Sequence, residues 1–144
     1  MKSEIVPSEW SALLALHRAA HATVHVLAAK LAGLGLTPSE INALANLADG
    51  RSRSVSELAV ATGNRPTTLT SVLDRLERRG HITRGGRPGD RRAVLVQLTP
   101  SGRQAAATIR QAITGLERRA LGALAAESVA GLHAGLQALT EATP

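Results

Sequence analysis

Apolar residues recur mostly at steps of three and four along residues 8–34, through Trp10, Leu13, Leu14, Leu16, Ala20, Val24, Leu27, Ala28 and Leu31. That spacing puts them on one side of a long α-helix, which Gly33 and Gly35 bring to an end. Thr37-Pro38-Ser39-Glu40 follows, a T-x-x-E capping box with proline at the first helical position, where its missing N–H is not needed. It predicts a second helix from about Pro38 to Ala48, closed by Asp49-Gly50. Ser54-Val55-Ser56-Glu57 is another capping box and opens a short helix through Leu58, Ala59 and Ala61 to about Thr62, where Gly63 stops it. Pro66 starts the next helix, whose apolar positions Leu69, Val72, Leu73 and Leu76 share one side before Gly80 ends it.

Two short helices joined by a Gly-containing turn, with Ala59 small enough to let them cross closely, form a helix-turn-helix pattern. The period then changes. His81-Ile82-Thr83-Arg84 and Ala93-Val94-Leu95-Val96-Gln97-Leu98 are rich in β-branched residues, and in the second run Val94, Val96 and Leu98 alternate with Ala93, Leu95 and Gln97. Residues 85–92, Gly-Gly-Arg-Pro-Gly-Asp-Arg-Arg, are read as a loop between them, so the segment is a β-hairpin with a basic tip: a wing. Thr99 and Pro100 supply an N-cap and a first helical residue, and 100–121 and 126–140 read as two Ala/Leu-rich helices broken between Leu121 and Glu127.

A chain of 144 residues falls within the size of one domain and can bury roughly 70% of its unfolded surface. Trp10 is its single aromatic residue, so the core is built from Ala, Leu and Val, which favours closely packed helices over a large sheet. The fold expected is mainly α with a small β-wing. The absence of cysteine excludes disulfides, thiolate metal sites and thiol-based redox sensing. No run reaches the ~20 apolar residues of a membrane helix, and MKSEIVPSEW lacks the apolar stretch of a signal peptide, so a cytoplasmic protein without a membrane partner is expected. With no Cys or Tyr, no phosphate-binding loop and no Ser beside a His/acid pair, neither a catalytic set nor a cofactor is expected.

Net charge is +6, and its placement matters more than its size. Residues 51–103 hold eleven arginines against Glu57, Asp74, Glu77 and Asp90, so the whole positive excess lies in the central third, where it attracts a polyanion. The helix 66–79 carries Thr67, Thr68, Thr70, Ser71, Arg75 and Arg78 opposite its apolar stripe. Hydroxyls bond base edges or phosphates, a Thr methyl touches thymine, and Arg bonds guanine or phosphate. Four Thr and Ser residues in the first two turns otherwise cost helix stability without structural return. Arg65 before the helix and Arg84 on the first wing strand join this candidate DNA surface. On the wing, Arg87, Arg91 and Arg92 sit on a narrow finger suited to an A·T-rich minor groove, and Asp90 is placed to hold Arg92 by a charge-assisted bond.

The stretch 90–102, Asp-Arg-Arg-Ala-Val-Leu-Val-Gln-Leu-Thr-Pro-Ser-Gly, resembles the wing signature D-x-R-x-x-x-V-x-L-T-x-x-G of the MarR (multiple antibiotic resistance regulator) family at every specified position. Residues 73–80, Leu-Asp-Arg-Leu-Glu-Arg-Arg-Gly, are similar to that family's end of the recognition helix. The resemblance implies an intertwined helical homodimer, residues 1–36 and 100–144 forming the dimerisation region around a winged helix-turn-helix at 37–99. It also implies that Arg92 is the minor-groove arginine with Asp90 as its partner, while Thr67, Thr68, Thr70, Ser71 and Arg75 face the major groove. One departure is Pro66 after Arg65, where a Ser or Asp often caps the recognition helix, which leaves the cap unassigned. The Ala/Leu-rich terminal helices point separately to a dimer, because so few large side chains cannot bury their apolar surface within one chain. Two recognition helices about 34 Å apart would read an inverted operator of roughly 16 to 20 base pairs.

His17, His21 and His25 recur at i, i+4 and i+8 on the first helix. Two such rings suit Zn²⁺, Cu²⁺ or Ni²⁺ if further ligands come from His81, His133 or an acid. In the arrangement implied by the resemblance, this helix instead borders a cleft where His17, Arg18 and His21 would meet a small anionic or aromatic effector. The function expected is a sequence-specific, ligand-responsive repressor acting on a double-stranded operator. A metal-responsive regulator and a non-specific architectural DNA binder are the alternatives.

Overall fold

The computed structural model describes residues 10–87 and 89–143. Ser11 opens helix α1 (Ala12–Lys30) with extended backbone and a hydroxyl that accepts the Leu14 N–H at 3.3 Å. The helix ends before the expected Leu34, because residues Ala32–Leu34 tighten into a 3-10 turn whose last residue hands over to Gly35 at φ 63°, a left-handed conformation that suits glycine. Thr37 caps α2 (Pro38–Ala45) at 3.2 Å. This helix is also shorter than expected. Asn46 turns its amide back onto the Asn42 carbonyl at 2.9 Å, and the chain leaves the helix through turns that close at Gly50, φ 80°.

Both halves of the second capping box form, the Ser54 hydroxyl accepting the Glu57 N–H at 3.1 Å and the Glu57 carboxylate accepting the Ser54 N–H at 3.3 Å. They start α3 (Val55–Thr62) directly after a two-residue strand, β1 (Arg53–Ser54). Helix α4 (Pro66–Arg78) begins at Arg65, whose backbone is extended but whose side chain makes no capping bond. The first turn of α4 is therefore uncapped.

The wing is a longer hairpin than its composition indicates: β2 (Ile82–Arg87) and β3 (Asp90–Leu98) pair antiparallel, Arg84 opposite Val96 and Gly86 opposite Val94. Gly85, Gly86 and Arg87, together with 90–92, are strand rather than loop, and Gly89, just before β3, has φ 83°. A ladder is made by main-chain groups, so two glycines on β2 pair as well as any residue once β3 is alongside. Strand β1 joins the other edge of β3, Arg53 opposite Val96 and Ser54 opposite Leu95, giving the order β1-β3-β2.

The chain divides into two units that meet in sequence at Ala112 and Ile113. The first has a core of Leu44, Leu47, Leu58, Leu69, Leu73, Leu76, Ile82, Val96 and Ile109, all withdrawn from water. Each such side chain contributes about 2 kcal/mol relative to exposure. Helix α5 (Pro100–Leu121) meets this core through Gly102, Ala105, Ala106, Ile109 and Ala112, a stripe of steps of one and three. The second unit holds the end of α5 and α6 (Ala126–Glu141), which has no buried residue.

Thr99 joins the wing to α5. Its N–H donates to the His81 carbonyl at 3.0 Å, its hydroxyl donates to the Gly80 carbonyl, and the same oxygen accepts the Gly102 N–H at 3.0 Å as an N-cap. This pulls the first turn of α5 so close to the chain at His81 that a Cβ on Gly102 would stand 1.8 Å from the His81 carbonyl oxygen. Gly102→Ala is therefore expected to lower stability by about 3 kcal/mol, read as an earlier urea unfolding midpoint. A midpoint equal to wild type would show that the two segments do not approach so closely.

Candidate nucleic-acid interface

Helix α4 buries Leu69, Val72, Leu73 and Leu76 and leaves Thr67, Thr68, Thr70, Ser71 and Arg78 exposed. The division follows from helical periodicity: one side is held by the core, so the other is presented outward in a fixed rotation. The Thr70 hydroxyl donates to the Pro66 carbonyl at 2.9 Å and keeps its lone pairs for an outside donor. Arg65 is exposed at the helix start. The turn before α4 is tied to α2, since the Asn42 amide donates to the Thr62 carbonyl at 3.1 Å.

The arginines of this region divide into groups that the sequence alone did not separate. Arg84 crosses from β2 to α4, where Nη2 lies 2.6 Å from Asp74 Oδ1 and Nε lies 3.1 Å from Glu77 Oε2. Its bonds to Glu77 and Asp74 push its already high pKa further up. Arg84 thus braces the wing base against α4, with two carboxylates beside its charge. Arg53 makes a two-bond contact with Asp49, at 2.9 and 2.7 Å. That contact, with the Arg51 N–H, holds the Asp49 carboxyl well below the usual carboxylate range, so the pair stays ionised throughout mildly acidic conditions.

Arg75 and Arg79 face Glu40 of α2. Glu40 does not complete its capping box by reaching the Thr37 N–H; its Oε1 accepts the Thr37 hydroxyl at 3.0 Å and lies 3.5 Å from Arg75 Nε. Arg79 donates from Nη1 to the Gly35 carbonyl and from Nη2 to the Leu34 carbonyl at 3.1 Å. Neither Glu40 nor Arg79 stands out in the sequence as a functional residue. One signal was present: Glu40, Leu44 and Leu47 lie at steps of four and three, which puts a carboxylate on the apolar side of α2, where it requires a cation.

A family model described as MarR family matches residues 34–93, from the turn before α2 into β3. A transcriptional regulatory protein for the hcr operon of Thauera aromatica is 38% identical over 79 residues, 55% of this chain and 48% of that protein. Over residues 34–93, which hold the helix-turn-helix and most of the wing, the chain is similar to the MarR family. It spans about half the length of the curated relatives it matches. A mutant MarR from E. coli, complexed with operator DNA, is 26% identical with a TM-score of 0.70, covering 90% of this chain and 91% of that one. Bordetella bronchiseptica BpsR, whose DNA binding is regulated by 6-hydroxynicotinic acid, is also 26% identical with a TM-score of 0.70, covering 87% and 95%.

The wing strands are defined here by their backbone, but the side chains of Arg87, Asp90, Arg91 and Arg92 lie outside the described residues, and with them the expected Asp90–Arg92 pair. On α1, His17, Arg18, His21 and His25 are exposed, and the His21 and His25 rings meet edge to face with centroids 4.5 Å apart. His81 is engaged elsewhere, its Nδ1 lying 3.1 Å from Ser101 Oγ. Among the described residues no three His, Cys, Asp or Glu side chains come together as a metal-binding group. No described helix is long and apolar enough to cross a membrane.

Removal of the Arg84 brace is expected to loosen the wing without unfolding the unit. Arg84→Ala should cost about 1 kcal/mol and speed amide hydrogen exchange in β2 relative to α3. Uniform exchange across both elements would show that the ion pairs hold nothing in place.

Proposed function

We propose that this chain is a MarR-family transcription regulator, a ligand-responsive repressor that binds a pseudo-palindromic operator as a homodimer. The observation that carries the reading is α4, which sets Thr67, Thr68, Thr70, Ser71 and Arg78 outward while four buried side chains fix its rotation. A helix held this way can enter a major groove and read base edges without first becoming ordered. The wing carries Arg87, Arg91 and Arg92 to the adjacent minor groove, with Asp90 as partner of Arg92, and Arg65 and Arg75 complete the contact with DNA. Arg84 belongs to the interface as the support of the wing, since two carboxylates already face it.

The homodimer is supported by α1 and α6. Neither helix has a buried residue, and Trp10 (75% exposed), Leu13, Leu14, Val24, Val26 and Leu132 are bare on or beside them. Apolar side chains spaced for a helix face but left in water within one chain are explained by a second copy. Residues 1–36 and 100–144 then act as the dimerisation region around the winged helix-turn-helix at 37–99, and the operator is cytoplasmic DNA. His17, Arg18 and His21 are the residues proposed to meet a small anionic or aromatic effector, in keeping with the regulation of BpsR by an aromatic acid.

Selecting bound duplexes from random DNA with the purified chain tests the reading directly. An inverted site of roughly 16 to 20 base pairs is expected, bound by a dimer and preferred over random DNA by ~10³ or more. A monomer, or equal affinity for all sequences, would return the chain to the architectural alternative. Arg92→Ala should weaken operator binding by roughly 1–3 kcal/mol with the fold intact, whereas Thr70→Ala or Ser71→Ala should change the preferred sequence. Titration calorimetry with salicylate-like acids, and with Zn²⁺ as control, should give heat only with the acids; heat only with Zn²⁺ would overturn the effector assignment.

A further inference from the structure

Glu40 is 3% exposed, yet its carboxylate is incompletely bonded. Oε2 lies 4.0 Å from Arg79 Nη1, and neither Oε2 nor Arg75 Nε has a hydrogen-bond partner among the described residues, although both are shut off from water. Arg79 is already committed to the Gly35 and Leu34 carbonyls. The remaining feature is the shape of Arg75: its side chain is 43% exposed while its Nε is buried, so the exposure falls on the outer end. Ser71, Arg75 and Arg78 follow one another at steps of four and three, which brings that outer end onto the outward stripe of α4.

We propose that Glu40 is a positioning residue for DNA recognition, its buried carboxylate steadying Arg75 by the Nε edge so that the two Nη groups are presented to the duplex as a fork. The inference rests on the DNA-binding reading of α4 given above. A guanidinium is planar and bonds bidentately, so a carboxylate on one edge fixes the direction of the other. A free arginine loses its rotamer freedom when it binds, whereas one steadied in advance has already lost it. Glu40 also has an opposing effect, because a negative charge behind the interface weakens attraction to every phosphate. Positioning and charge therefore predict opposite signs on removal of the carboxylate, and only positioning depends on Arg75.

The experiment measures affinity of the full chain for its selected operator and for a random duplex at one salt concentration. Glu40→Met keeps the length of the side chain and removes the acceptor; thermal unfolding of each variant reports the fold. Operator binding by Glu40→Met is expected to weaken by about five- to tenfold, with random-duplex affinity equal or higher. Glu40→Gln, whose amide oxygen keeps a partial negative charge beside Nε, should recover most of the loss. In an Arg75→Ala background Glu40→Met should produce no further loss. Equal or tighter operator binding by Glu40→Met, or the same loss with and without Arg75, would overturn the proposal. Wild-type affinity in Arg75→Ala would overturn it too while leaving the regulator intact; a wild-type chain with no preferred sequence would instead remove the underlying reading. Should Glu40→Met not fold, Arg75→Lys carries the test, because an ammonium lacks the inner N–H: a loss matching Arg75→Ala supports positioning, and wild-type affinity defeats it.

Discussion

Leu69, Val72, Leu73 and Leu76 anchor α4, and most of the first unit is arranged to receive them: Leu44 and Leu47 from the α2 region, Leu58 from α3, Ile82 and Val96 from the sheet. The anchoring sets the rotation of the helix about its axis and hence which side chains face outward. Hydrophobic burial has no direction of its own, but four side chains on one stripe allow little rotation before an apolar residue meets water. The backbone positions that carry the outward row of hydroxyls and arginines are therefore fixed by the core beneath them.

Electrostatics then refines what burial has placed. The central third of the chain is strongly basic, yet its arginines do different work. Arg53 and Arg84 are paired with carboxylates and hold the loop before β1 and the base of the wing. Arg79 satisfies carbonyls left open by the 3-10 turn after α1. Arg65 and Arg78 are exposed, and Arg75 stands between the two groups, its inner edge toward Glu40 and its outer edge in water. A count of positive charges thus overstates the number available to a phosphate backbone.

Much of the fold was legible because its signals are local. Capping at Thr37, Ser54 and Thr99 depends on residues three positions apart at most, and glycines at 63 and 80 end helices through their own backbone conformation. The buried stripe of α4 appeared at the expected positions for the same reason. The wing was harder to read. Gly85 and Gly86 look like loop residues until β3 is beside them, and β1 is two residues long, too short for any alternation to register. Proline at the start of α4 concealed an uncapped helix, with Arg65 supplying the cap position but no capping bond.

The sequence by itself determined the element order, the apolar side of α4, the concentration of charge in residues 51–103 and the exclusion of thiol chemistry, since each depends on composition or on residues within one or two helical turns. The tertiary structure decided which arginines are occupied. Glu40 and Arg75 are 35 positions apart, and Arg79 and Gly35 are 44, so no local rule links them; they meet because packing of leucines brings α2 and α4 together. Why residue 102 is glycine was settled in the same way, by the approach of α5 to the chain at His81. Local spacing can tell a helix from a strand, but the partner of a charge or the closeness of two backbones exists only after distant segments have met.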